Sequence, residues 1–391
     1  MVNIIPEWVV VKPSRQSKRP PPSSARSRQQ QQQQQQQPGR NTRKPKEHTK
    51  RKNDQNAKIN PALLRHFEAI LSTFHDTFAH LFTPALPSLI QDVKQSLYLR
   101  DYVAAFDSPE KLQAYVVRWS VARALAYCEM ISSGWLSQEV TESFIQQSNN
   151  RLKIACIGGG AGAELVGIAA VQSFLNPKGS TVDDNEENSS QDISNVRGLD
   201  LTLLDFATWT PIIDSLYGHL TDPAKQSKLY VDKSNFTVSC HQQDVLSSLS
   251  EATVAAMTSA DIVTILFTAG ELYSQSPTST TKFIMSLHAL TKPGALLVIV
   301  DSAGGFEELD VLKKGSGSST VESSSSSSMG GYKLGFLLDK TLTSRQQWET
   351  ITSQDAKWWR VPQELRDSNA YPLELENMRS LIRVYRRNND D

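Results

Sequence analysis

Four glycines and an alanine stand in a row, Gly158-Gly159-Gly160-Ala161-Gly162, between an apolar stretch, Leu152–Ile157, and Ala163-Glu164. A strand that ends in such a run and passes into a helix makes a cradle for a nucleotide cofactor. The turn needs positive φ, and the ligand must approach backbone where a Cβ would clash. The helix start adds free N–H groups and a positive dipole, beside which the charge of Glu164 is favourable. Two fingerprints fit equally. Gly158-x-Gly160-x-x-Ala163 matches the dinucleotide pattern, and Gly158-x-Gly160-x-Gly162 matches the methyl-donor pattern.

Two acids further on separate these readings. Leu201-Thr202-Leu203-Leu204-Asp205 ends a second strand with a carboxylate placed for ribose hydroxyls, which either cofactor would use. Asp244 lies just after a third strand, where an acid takes the adenine amino group of a methyl donor and where dinucleotide enzymes have less need of one. Together Asp205 and Asp244 favour S-adenosylmethionine held by Gly158, Gly159, Gly160, Gly162, Glu164, Asp205 and Asp244. A nicotinamide or flavin cofactor and an empty, degenerate nucleotide fold are the alternatives. Cys156 occupies the position, two before the first glycine, where many methyltransferases carry an acid, so the amino group of the donor needs another partner such as Glu164 or backbone carbonyls. The fourth strand runs into Phe267-Thr268-Ala269-Gly270-Glu271-Leu272-Tyr273, a polar turn at the carboxyl edge where ligands of open α/β sheets sit.

These residues require an alternating framework. Strands are expected at Leu152–Ile157, Leu201–Leu204, Phe236–Cys240, Ile262–Phe267 and Leu296–Val300, with helices at Glu164–Phe174, Trp209–His219, Val245–Thr258 and Thr280–Leu290. Such alternation implies a parallel sheet covered on both faces. Tyr332–Leu338 and Ser380–Tyr385 are read as two late strands of an antiparallel edge. The fold class is α/β: a Rossmann-like class I methyltransferase with a seven-strand, mostly parallel sheet and an N-terminal helical subdomain.

Ahead of the sheet, Asn60-Pro61 is a helix start, and Leu63, Phe67, Ile70, Leu71, Phe74 and Phe78 recur at helical spacing. Further helices are expected over Ser88–Leu97, from Ser108-Pro109 and after Ser137. Residues 59–150 thus read as a helical subdomain and 151–391 as the cofactor domain, with insertions at about 177–196 and 307–330. Residues 1–58 read as a disordered tail of Pro, Ser and basic residues with nine glutamines, Gln29–Gln37.

The net charge of zero conceals an asymmetry. Residues 1–58 carry 14 Lys/Arg against 3 Asp/Glu, and residues 59–391 carry 27 against 38. A basic tail on an acidic body fits a polyanionic partner, with affinity drawn from counterion release. Arg43-Lys44-Pro45-Lys46 and Lys50-Arg51-Lys52 read as a nuclear import signal, an RNA-contacting arm or a solvated tail. No apolar run approaches the ~20 residues of a membrane helix, and an intracellular setting is expected. Cys128, Cys156 and Cys240 are far apart, and His66, His75 and His80 have no carboxylate or cysteine at ligand spacing, so no metal is expected.

Ile154–Glu164, together with Leu203-Leu204-Asp205, Phe267–Tyr273, Lys357-Trp358-Trp359-Arg360 and the helical stretch Tyr115–Trp135, resembles the fungal 25S ribosomal RNA uridine-N(3)-methyltransferase family, in the type with a helical N-terminal region. The likeness covers roughly residues 60–390 apart from the insertions. The family pattern Phe-Thr-x-Asn-Glu-Leu has Asn where this chain has Gly270. The resemblance implies a ribosomal RNA or pre-ribosomal particle as partner and a nuclear or nucleolar setting, with the cytoplasm as the alternative. N(3) of uracil carries a proton, so a base must remove it. Glu271, the only carboxylate of the fourth-strand turn, is the candidate, with helix capping as its other reading. Thr268 is placed to bond a uracil carbonyl. Tyr273, Trp358 and Trp359 are candidates to stack on an extruded base, since the N(3) edge is hidden in a pair. A methyltransferase of small molecules or protein side chains, and a non-catalytic assembly factor of the same fold, are the rival functions.

Overall fold

The computed structural model describes residues 59–145, 150–176, 197–304 and 333–389. The tail 1–58 and both expected insertions lie outside the described residues.

Six helices come first: α1 (Pro61–Thr77), α2 (Leu86–Tyr98), α3 (Tyr102–Ala105), α4 (Pro109–Tyr115), α5 (Val121–Ser132) and α6 (Gln138–Ile145). Their starts follow from capping chemistry. The Asn60 side chain accepts from the Ala62 N–H at 2.8 Å, and the Ser108 hydroxyl accepts from the Lys111 N–H at 3.3 Å; each precedes a proline at the first helical position. Between α4 and α5, Val116–Ser120 form a single wide π turn, an element that gathers at functional sites.

The alternating part contains β1 (Leu152–Ile157), α7 (Ala163–Leu175), β2 (Leu199–Asp205), α8 (Thr210–Thr221), β3 (Phe236–Gln242), α9 (Glu251–Ser259), β4 (Ile262–Leu266), α10 (Ala269–Gln275), α11 (Pro277–Leu290), β5 (Leu296–Ser302), α12 (Leu334–Thr343), β6 (Trp348–Trp359), α13 (Gln363–Asp367) and β7 (Met378–Arg387). The strands form one seven-stranded sheet in the order β3-β2-β1-β4-β5-β7-β6. β1 to β5 pair in parallel, and β7 runs antiparallel to both β5 and β6. The chain order reverses between β1 and β4, and the crevice beyond their carboxyl ends is where such sheets bind ligands.

The central strands are buried on both faces. Leu152, Ile154 and Cys156 of β1 join the core on one side, and Ala155 and Ile157 join the core on the other. The same period of two divides Leu296, Val298 and Val300 of β5 from Leu297 and Ile299. The first core contains the helices α1 and α5 together with α7 and α8, so residues 61–145 form one covering layer of the sheet. The crossing of α5 on α7 is close at Gly167, where an added Cβ would lie 3.0 Å from the Ala124 carbonyl oxygen and 3.2 Å from Tyr127 Cβ. Residues 57–391 make one compact unit.

One expected strand is a helix. Within Tyr332–Leu338, Tyr332 is outside the described residues and Leu334–Leu338 open α12. Leu334, Leu338 and Leu342 repeat every four residues and are buried on one side, while Phe336 is half exposed. That spacing overrides the strand-like run of neighbouring apolar residues. The outer antiparallel strand is instead β6, a polar segment broken by two register shifts along β7, as befits an edge strand.

Candidate functional site

A cavity of about 380 Å³ opens at the carboxyl ends of β1, β2 and β4. Its first wall is the glycine turn. Gly158 and Gly162 have φ of +77° and +78°, a conformation natural to glycine. Gly158 lines the cavity, and a Cβ there would fall 2.0 Å from Thr268 Oγ1. Gly159, Gly160 and Gly162 are not in the cavity wall. Gly159 is packed on Cys156 and Leu203, Gly162 abuts Leu216, and a Cβ on Gly160 would lie 2.0 Å from Trp209 Cδ1. The loop is glycine-rich mainly because protein presses on it from behind, and only Gly158 faces the ligand space.

Asp205, at the end of β2, fastens this loop to the sheet. Its Oδ2 accepts from the Gly160 N–H at 3.0 Å and its Oδ1 from the Ala207 N–H at 3.3 Å. Burial raises its pKa, against the pull of these hydrogen bonds. It lines the cavity, as do Gln243 and Asp244 beyond β3. Asp244 Oδ1 accepts from the Leu246 N–H at 2.9 Å, which makes a turn and delays the next helix to Ser250, its N-cap. Gln243 steadies that loop by donating to the Asp244 carbonyl at 2.7 Å and accepting from the Ser250 N–H at 3.0 Å.

Glu164, in the first turn of α7, is buried. Its Oε1 has no hydrogen-bond partner. Burial pushes its pKa up to about 8, with Asp205 adding to the rise and Arg123 and its own N–H opposing it. A buried carboxylate oxygen without a donor, facing a cavity, suits an incoming ammonium group. Cys156 does not supply this group: it is buried in the core beneath, and burial raises its thiol pKa.

The opposite wall is the β4–α10 turn. Phe267 adopts φ +56°, an uncommon state for a bulky side chain that persists where the surroundings impose it. Its N–H donates to the Val300 carbonyl at 2.7 Å, and the Gly270 N–H donates to Asp301 Oδ2 at 2.8 Å. Thr268 donates its hydroxyl to the Leu266 carbonyl at 3.2 Å. Glu271 lines the cavity in the first turn of α10. Burial pushes its pKa up to about 8; Arg123 opposes the rise, and Asp301 and Asp205 add to it.

Sequence motifs do not reveal the third wall, which comes from the helical layer. Tyr115, Arg123 and Tyr127 line the cavity. Arg123 donates to the Tyr115 hydroxyl, and its guanidinium lies over the Phe267 ring, 4.9 Å from the centroid. α3 joins the wall through Tyr102, whose hydroxyl is 3.1 Å from Ser274 Oγ on α10.

Three expected stacking residues lie elsewhere. Tyr273 is fully buried in the second core, and Trp359 is fully buried with its Nε1 donating to Glu129 Oε2 at 2.9 Å. Neither has a free ring face for a base. Trp358 is half exposed, with Arg360 over its ring at 5.2 Å, and is outside the cavity. Among the described residues there is no group of three or more His, Cys, Asp or Glu able to hold a metal, and no helix long and apolar enough to cross a membrane.

A seven-stranded sheet of this order, a glycine turn at its switch point and paired acids around a nucleotide-sized cavity define an S-adenosylmethionine-dependent methyltransferase. Residues 74–386 match the family model described as "Putative SAM-dependent methyltransferase", and the chain belongs to that family. Within curated proteins it is 29% identical over 317 residues to the 25S rRNA (uridine(2843)-N(3))-methyltransferase of Saccharomyces cerevisiae, covering 78% of each chain. Among solved structures, it is similar to a SAM-dependent methyltransferase from Methanosarcina mazei, at 12% identity and TM-score 0.37 over 64% of this chain and 98% of that one. A 16S rRNA (adenine(1408)-N(1))-methyltransferase from Catenulisporales acidiphilia matches at 14% identity and TM-score 0.34 over 64% and 93%.

Proposed function

We propose that this enzyme methylates N(3) of a uridine in large-subunit ribosomal RNA. The observation that carries the reading is Glu271: a carboxylate of raised pKa beside Thr268, in the same cavity as Glu164 and Asp205. The relative from Saccharomyces cerevisiae supplies the acceptor, because its named substrate is a uridine N(3).

S-adenosylmethionine, when bound, supplies an electrophilic methyl group on a sulfonium. Glu164 would hold the ammonium of its methionine end, Asp205 the ribose hydroxyls, and Asp244 the adenine amino group. Glu271 would accept the N(3) proton, which frees the nitrogen lone pair for a methyl group delivered by a bound sulfonium donor. A carboxylate titrating near 8 is a stronger base than an ordinary one, which suits a weakly acidic N–H. Arg123, which lines the same cavity as Glu271, would steady the negative charge that spreads onto the uracil carbonyl oxygens. Thr268 bonds one of those carbonyls. The Lys/Arg-rich tail adds sequence-independent affinity for RNA and fits a nuclear or nucleolar place of action on pre-ribosomal particles.

The test is mass spectrometry of nucleosides from large-subunit RNA of cells lacking the gene. One 3-methyluridine should disappear, return with the wild-type gene and stay absent with Glu271→Gln. Intact 3-methyluridine in the deletion strain overturns the proposal.

A further inference from the structure

A second concavity, of about 210 Å³, lies on the far side of the wall formed by Arg123 and Phe267, which line both cavities. Its lining includes Arg118, Arg379 and Trp119. Three arginines here face one carboxylate, Glu376, on a body in which residues 59–391 carry 27 Lys/Arg against 38 Asp/Glu. This is a local excess of positive charge on a body of net negative charge.

The three guanidinium groups are differently engaged. Arg118 pairs with Glu376, donates to the Glu374 carbonyl at 3.2 Å and lies over the Trp119 ring at 5.5 Å. Arg123 is tied to Tyr115 and stacked on Phe267. The exposed Arg379 guanidinium has no hydrogen bond or ion pair among the described residues, while its carbonyl, accepting from Ala303 N–H at 2.9 Å, anchors the backbone beneath it. An arginine on a fixed strand end with open donors, beside a cavity, is ready for an anion.

We infer that this concavity seats the phosphodiester flanking the target uridine, with Arg379 as its principal contact. The inference rests on the RNA reading above and extends it. A base whose N(3) edge must meet Glu271 has left its stack, so its own backbone stays at the cavity rim. A partition of only Arg123 and Phe267 separates base from rim, and the donors behind that partition are where the next phosphate falls. Phosphate contacts fix register without reading sequence, which is what a positioning seat must do.

The test uses the full chain and an RNA hairpin whose loop holds a single uridine, with either normal linkages or one neutral methylphosphonate beside that uridine. Arg379→Gln should weaken binding of the normal hairpin roughly fivefold to tenfold and flatten the plot of log affinity against log salt by about 0.7 to 0.9, the share of one phosphate. It should raise the KM for RNA with little change in kcat and leave S-adenosylmethionine affinity unchanged by calorimetry. The neutral linkage should weaken wild-type binding by a similar factor and the variant hardly at all. If Arg379→Gln binds the hairpin as wild type does, with the same salt slope, this inference is overturned and the RNA reading stands. Wild-type protein that binds no RNA, and methylates a small molecule or a protein side chain instead, overturns both.

Discussion

Replacing Glu164 by glutamine should move stability and cofactor affinity in opposite directions. In the free protein the carboxyl is buried, Oε1 has no donor, and burial lifts the pKa to about 8 from an ordinary 4.5. Between these values the folded chain keeps a proton that the unfolded chain has released, so folding stability falls as pH rises from about 4.5 to about 8 and is level beyond. At pH 7 the accumulated cost is on the order of 3 to 4 kcal/mol, from about 2.5 pH intervals at about 1.4 kcal/mol each. Glutamine has the same shape and no proton to lose. The variant without cofactor should match wild type near pH 4.5 and exceed it by roughly 5 °C in Tm at pH 7.

Cofactor binding should respond the other way. An ammonium group held by an ionised Glu164 makes a charge-assisted hydrogen bond worth about 1.5–3 kcal/mol, so Glu164→Gln should bind S-adenosylmethionine about 10- to 150-fold more weakly. Ionisation on binding also releases a proton. Calorimetry at pH 7 in buffers of different ionisation enthalpy should therefore detect close to one proton released by wild type and none by the variant. A variant that is less stable at pH 7, or that binds the cofactor with wild-type affinity, refutes the assignment.

Two further outcomes follow from the site. Single-turnover methylation should rise with pH and level off above about 8 as Glu271 ionises; Glu271→Gln should slow it about 100-fold or more while leaving cofactor affinity within a few-fold, and wild-type rates in that variant would remove Glu271 as the base. Gly160→Arg should lower Tm and abolish cofactor binding through displaced Trp209 and a broken Gly160–Asp205 bond, since even a Cβ falls 2.0 Å from the indole; unchanged calorimetric affinity would contradict that packing.

The position of the turns at the ends of β1, β2 and β3 was legible because its physics is local. The glycine turn, the strand-end Asp205 and the post-strand Asp244 follow from apolar runs and from where they stop. The acceptor half was less so. Arg123 sits in Val-Ala-Arg-Ala-Leu-Ala on α5, where it looks like an interruption of an apolar helix; only the packing of α5 across α7 brings it to Glu271's cavity. Trp358 and Trp359 carried a readable signal that favours core for one of them. Neighbours in a strand point to opposite faces, so both rings could not enter one cavity. α12 was misread because Leu334, Leu338 and Leu342 must be spaced across nine residues before their helical period is visible, and the first five look equally like a strand.

The position of β7 also governs when the site can exist. β7 is made after every other described strand, yet it lies inside the sheet, between β5 and β6. It pairs Leu381 with Asp301 and Ser380 with Ser302, and Asp301 is the residue that holds the Gly270 amide of the β4–α10 turn. During synthesis, then, the glycine loop and its acids can assemble early, while β5 presents an unpaired apolar edge. The turn bearing Glu271 gains its full support only when residues 378–387 have inserted. Pairing over such a long range is slow to form. Nascent chains should accordingly form the glycine turn before the turn that bears Glu271 is fixed in place.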